Sequence, residues 1–215
     1  MRTQYQFKPE CFDTFKRQLL QWANTFEEVV LLDSNHYNQT HSSFDAVLAV
    51  DAFSSLQLSP NQGFDQLEIY QKETSDWIFG YLSYDLKNDI EKLHSSNYDG
   101  LLFPDLFFFQ PKKVFLFRGD EVIIHYLNEF SACIEDDLNS IEQQSFQTKN
   151  RNAIALKIEA RTSKSSYLDK VKTLQYHINR GDIYEANFCQ EFYTYGTIDP
   201  LATFYKLQKS SKPPF

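Results

Sequence analysis

Two groups of residues in this 215-residue chain have the types and spacing to do chemistry. One lies between Tyr167 and Phe192, where Asp182, Glu185, Asn187, Gln190 and Glu191 follow at short intervals. Carboxylate pairs such as Asp182/Glu185 and Glu185/Glu191 can serve general acid–base catalysis when one partner has a raised pKa. Carboxylates alternating along a strand are equally the solvated face of a sheet, so this polar row is either a site wall or a surface. The other group follows VVLLDS, where Ser34, His36, Tyr37, His41, Ser42 and Ser43 gather hydroxyls and imidazoles beside an apolar run. Such groups fix a small polar ligand, or they form a solvated loop. His36 and His41 have a spacing that zinc can use, but no cysteine or carboxylate pair completes a four-ligand set. His94, His125 and His177 are scattered, and the phosphate-loop, dinucleotide, zincin and serine-hydrolase signatures are absent.

The elements that must position these groups are legible from periodicity. Tyr167, Leu168, Val171, Leu174 and Ile178 have the one-face spacing of an amphipathic helix. Ser163 or Ser165 is its N-cap, and Gly181 sits where a left-handed residue ends a helix. The period then changes: Tyr184, Ala186, Phe188 and Phe192 alternate with polar residues, which predicts a strand. Upstream, Phe12, Phe15, Leu19, Trp22, Ala23 and Phe26 predict a helix, and EVVLLDS and FDAVLAVDAF predict two strands joined by the polar loop. WIFGYLSYD reads as a buried strand whose Gly80 marks close backbone approach. PDLFFF, KKVFLF and EVIIHYL read as three β-runs, the last two forming a hairpin around Gly119. Residues 131–152 are polar, with a helical pattern in IEDDLNSIEQQ, and read as a linker or surface excursion. AIALKIEAR predicts another strand, and Asp199-Pro200 opens a helix carrying Leu201, Phe204, Tyr205 and Leu207. Strands and helices without regular βαβ spacing give an α+β fold with mainly antiparallel sheet.

Composition bounds the function. Aromatic content of 16%, with 20 Phe and 13 Tyr, is enough for a substantial core. Asp plus Glu number 29 against 21 Lys plus Arg, a formal charge of -8 with no basic cluster, which argues against a nucleic-acid partner. Cys11, Cys133 and Cys189 suggest no disulfide framework, the N-terminus has no apolar signal region, and no apolar run can span a bilayer. A cytoplasmic location and no membrane partner are expected.

The segment Y-x3-V-x6-I-x2-GDIYEANFCQEF resembles the start of the chorismate-binding region in the anthranilate synthase / aminodeoxychorismate synthase component I family. VVLLDS, HSSFDAV, IFGYLSYDL, LLFPDLFFFQPKKVFLF and DPLATFYKLQKSSKPPF are similar in the same order, so the resemblance covers nearly the whole chain. It implies a two-sheet sandwich of the anthranilate synthase component I type with flanking helices, here truncated. It also implies an N-terminal region over 1–150 and the beginning of the chorismate-binding region over 151–215.

Asn187 in GDIYEANF is similar to the aminodeoxychorismate (para-aminobenzoate) branch. That branch replaces the 4-hydroxyl of chorismate with an amino group in 4-aminobenzoate and folate biosynthesis, using ammonia from a glutamine amidotransferase partner. Within the family, Mg2+ neutralises the chorismate carboxylates and helps the hydroxyl leave, and a lysine attacks the ring. The alternatives are an anthranilate synthase large component of tryptophan biosynthesis and a non-catalytic amino-acid-binding module. The family's lysine, metal-binding glutamates and glycine-rich segment lie downstream of SSKPPF. The expectation is therefore that no catalytic or metal-binding residue lies in this chain and that it is inactive alone. The resemblance further implies a tryptophan pocket at Ser34, His41, Ser42, Ser43, Phe44, Pro214 and Phe215.

Overall fold

The computed structural model describes residues 1–35, 37, 43–58, 62–94, 96–145 and 157–211. The chain divides into two compact units, Met1–Gln147 with Phe204–Phe215, and Thr148–Thr203.

The first unit is built on a six-stranded antiparallel sheet. In chain order its elements are β1 (Arg2–Phe7), α1 (Phe12–Ala23), β2 (Val29–Asp33), β3 (Ala46–Leu58), α2 (Gly63–Thr74) and β4 (Phe79–Leu82). A short 3-10 turn leads to α3 (Lys87–Ile90), then β5 (Leu106–Arg118), β6 (Glu121–Leu127), a second 3-10 turn and α4 (Ile134–Glu142). The strand order is β1-β6-β5-β3-β2, and β4 also pairs with β5. The helix expected from Phe12 to Phe26 forms, as do the strands flanking the polar loop and the hairpin whose turn residue Gly119 has φ +60°.

Alternation along the central strands sends side chains to two faces. Leu48, Phe115 and Ile124 are cross-strand neighbours on one face. There Trp22 of α1 meets Phe115 edge-on at 5.8 Å, and Phe12 meets Phe117 at 5.4 Å. Val47, Ala49, Val114 and Leu116 point the other way and cluster with Phe79 and Phe109, with Phe44 packed against them.

Two expectations for this unit change. PDLFFF and KKVFLF are one continuous strand, although Pro111 lies inside it. On one side of β5 the neighbour is β4 over 106–109 and β6 over 113–118. Pro111 falls in the gap between them, opposite a register shift in β3, where the missing N–H costs no ladder bond. The WIFGYLSYD segment is a strand only over Phe79–Leu82, and of those residues Phe79 alone is buried. The close approach at Gly80 holds: a Cβ there would lie 1.9 Å from the Phe107 carbonyl oxygen.

The second unit contains β7 (Glu159–Ala160), α5 (Lys164–Arg180) and β8 (Phe192–Tyr193). Helix α6 (Pro200–Ser211) follows, and its residues from Phe204 belong to the first unit. Both ends of α5 are as expected. The Ser163 hydroxyl oxygen accepts from the Ser166 N–H at 3.3 Å, and Gly181 has φ +84°. Of the strand expected from Tyr184 to Phe192, only Phe192 is in a strand, β8. Pairing in this unit is limited to Glu159 with Tyr193 and Ala160 with Phe192, so residues 183–191 have no ladder partner among the described residues. An alternating pattern makes a strand only where a neighbour accepts its hydrogen bonds.

The class is therefore α+β, with antiparallel sheets of six and two strands and flanking helices. Among the described residues no helix is long and apolar enough to cross a membrane.

Candidate functional site

Within the first unit the chemically loaded corner lies at the end of β2. Asp33 and Ser34 are both buried there, at 8% and 5% exposure. The loop base is stitched by main-chain bonds: Ser34 N donates to Asp45 O at 2.9 Å, Tyr37 N to Ser34 O at 2.9 Å, and Asp45 N to Phe117 O at 2.8 Å. Asn35 turns the chain with φ 49°, a left-handed conformation that asparagine tolerates.

Three elements converge on the Asp33 carboxylate. Lys16 of α1 places its Nζ 2.5 Å from Oδ2, and Gln208 of α6 donates Nε2 to the same oxygen at 2.9 Å. The Asn35 N–H donates to Oδ1 at 3.1 Å, and Gln208 Nε2 also reaches Asn35 Oδ1 at 2.8 Å. Arg17 and Tyr205 add a second approach between α1 and α6. Burial pushes the Tyr205 phenol above its usual range, while the nearby Arg17 charge opposes the shift. The result is a cation-neutralised carboxylate beside a buried serine.

Of the residues expected to form the pocket, Ser34 follows β2 directly in this corner. Ser43 is exposed, and Phe44 packs on the sheet with its ring 6.2 Å from Trp77. His41, Ser42, Pro214 and Phe215 lie outside the described residues. Lys16, Asp33 and Gln208 were not singled out from the sequence. A signal existed for Gln208: it continues the Leu201, Phe204 stripe of α6 and is a polar residue on an otherwise apolar face. Lys16 flanks the α1 stripe and gave no such signal.

Of the carboxylates in the 182–191 row, Asp182 and Glu191 are engaged in local pairs, and Glu185 is exposed. Glu191 accepts two bonds from Arg161, both 3.0 Å, and these hold its carboxyl below the usual range. Asp182 accepts from Arg180 Nε at 3.0 Å and lies 2.7 Å from His177 Nδ1. They tie α5 and its flanks together. No group of three or more His, Cys, Asp or Glu side chains is placed to hold a metal ion among the described residues.

Two further polar clusters are structural. Arg2 binds Asp76 through Nε at 2.9 and 3.0 Å and donates to the carbonyls of Pro111, Lys112 and His125. Lys113, 9% exposed at its side chain, lies 2.8 Å from Asp137 and about equally far from the rings of Trp22, Phe26 and Tyr126, at 5.2, 5.0 and 5.6 Å.

Residues 15–215 match the family described as chorismate binding enzyme, and the chain belongs to that family. A relative, the aminodeoxychorismate synthase component 1 of Escherichia coli (strain K12), is 22% identical over 163 residues. The match covers 72% of this chain and 35% of that protein, so the chain spans about a third of the relative's length.

Proposed function

We propose that this chain is the amino-terminal part of an aminodeoxychorismate synthase component I. The whole enzyme converts chorismate and ammonia to 4-amino-4-deoxychorismate for 4-aminobenzoate and folate biosynthesis. The observation that carries the reading is the collinear likeness to aminodeoxychorismate synthase component 1, supported by Asn187 within GDIYEANF. Ammonia comes from a glutamine amidotransferase subunit. Mg2+ and the reacting side chains are supplied by residues outside this chain, which acts in the cytoplasm. In this reading the Ser34 corner, with His41 to Phe44, Pro214 and Phe215, is a pocket for an amino acid such as tryptophan.

The reaction is tested with the complete protein, chorismate, ammonium and Mg2+. The expected product yields 4-aminobenzoate only after a lyase is added. Anthranilate fluorescence without a lyase would instead assign the enzyme to the anthranilate branch. Glutamine should replace ammonium only when the amidotransferase subunit is present, and the 215-residue chain alone should consume no chorismate. The pocket is tested by calorimetry with tryptophan and mass spectrometry of the purified protein. No heat and no copurified amino acid would remove it.

A further inference from the structure

The Asp33 carboxylate is enclosed, its side chain 9% exposed, and a buried carboxylate is costly unless paired and hydrogen-bonded. Among the described contacts its charge is met by the ammonium of Lys16, at 2.5 Å from Oδ2. The remaining donors, Gln208 Nε2 and the Asn35 N–H, are neutral. Gln208 directs its one amide nitrogen to two acceptors, Asp33 Oδ2 and Asn35 Oδ1, which flank Ser34 in sequence. The attachment of α6 here thus depends on Asp33 as a well-placed acceptor.

Without the Lys16 charge, the buried carboxylate has two ways to relax. It can admit water by releasing α6, or accept another ammonium in the position Lys16 holds. We propose that Lys16 is the built-in cation of this corner: its ammonium on Asp33 positions α6 against the β2–β3 loop in cis and keeps small ammonium compounds off that carboxylate. Lys16 is then a positioning residue, acting through Asp33 and Gln208. The proposal goes beyond the amino-acid pocket and is tested with no amino acid present, so either can fail without the other.

The test is hydrogen exchange of the backbone over residues 204–211 in the complete protein, freed of small molecules. In the wild type these amides are protected, and ethylammonium chloride changes nothing relative to equal sodium chloride. In Lys16→Ala they exchange about tenfold faster or more, as expected when a buried pair loses one partner. Ethylammonium restores protection, whereas tetramethylammonium, which has no N–H to donate, does not. Lys16→Arg keeps most of the protection. A second pair of variants keeps the test readable if Lys16→Ala does not fold: Lys16→Met loses protection, and Lys16→Met with Asp33→Asn regains part of it because no unpaired charge remains. The proposal is overturned if Lys16→Ala with a native circular dichroism spectrum exchanges like the wild type. It is equally overturned if ethylammonium does no more than sodium chloride in that variant, if the wild type responds to it, or if the double variant is no better protected than Lys16→Met.

Discussion

In the first unit Phe15, Leu19, Phe109, Phe115, Phe117, Ile124 and Tyr126 are each at most 4% exposed. In the second unit no described residue is buried, and Leu168, Tyr176, Ile178, Tyr184, Phe192, Tyr195 and Ile198 are exposed. The two units differ in what their apolar faces meet. Strands β3 and β5 have neighbours on both sides and are packed on both faces. Helix α5 has an apolar stripe weaker than that of α1 and is held mainly by its caps, the Arg161–Glu191 pair and a stack of Tyr167 on Phe188 at 5.0 Å. Amphipathic spacing specifies a helix; burial of the stripe requires a second layer.

The comparison can be broken most directly by truncating one large side chain in each unit. Phe115→Ala removes a fully buried ring between Trp22 and Tyr126 and should cost about 3–5 kcal/mol. Leu168→Ala in the second unit should cost under about 0.5 kcal/mol in this chain, because the side chain is exposed. Denaturant midpoints at constant m give both values. Equal losses would mean that the second unit has a core after all.

Breaking the Arg2–Asp76 pair comes next in size. Arg2→Ala leaves Asp76 without its charged partner and should destabilise the first unit by about 3 kcal/mol in urea unfolding. Gly80→Ala forces a Cβ against the Phe107 and Phe108 backbone. We expect a loss of about 1–3 kcal/mol, with faster hydrogen exchange confined to β4 and its partner residues in β5. A uniform effect across the sheet would argue that β4 is integral rather than an edge.

The smallest effect is the acid dependence of the first unit. Burial alone would raise the Asp76 pKa, but hydrogen bonds from Arg2 and Gln110 outweigh it and lower the value below the usual carboxylate range. For His125, burial and the Arg2 charge lower the pKa, against the opposing pull of Asp76. Both groups bind protons more weakly when folded. The His125 contribution is therefore complete above about pH 6.5 and fades as pH falls through its folded pKa, and that of Asp76 fades below about pH 4. Unfolding midpoints measured across this range should show a shallow fall followed by a steeper one. The shallow part should disappear in His125→Phe.

The residues make clear which parts of this were legible in the sequence. Helices α1 and α5 with the Ser163 and Gly181 boundaries, the strands around the polar loop, and the turn at Gly119 follow from local rules of spacing, capping and positive φ. The interruption expected at Pro111 was wrong because the neighbour of β5 changes there from β4 to β6. The strand expected over 184–192 is realised only at Phe192, because residues 183–191 have no ladder partner among the described ones. Strand β1 and helix α2 gave too little pattern to be read. For the candidate site, Ser34 was visible as a member of a polar loop beside an apolar run and Phe44 through the family resemblance, whereas Asp33 was one letter in VVLLDS.

By itself the sequence determined the helical and alternating segments, the α+β class and, through the order of its motifs, the family. Only the tertiary structure decided that Lys16, Asp33 and Gln208 meet. They are far apart in the chain and come from a helix, a strand end and another helix, and no local period encodes their encounter. It also decided that one apolar stripe is buried and another is not. Periodicity is a property of a segment, whereas burial and charge neutralisation belong to pairs of segments brought together.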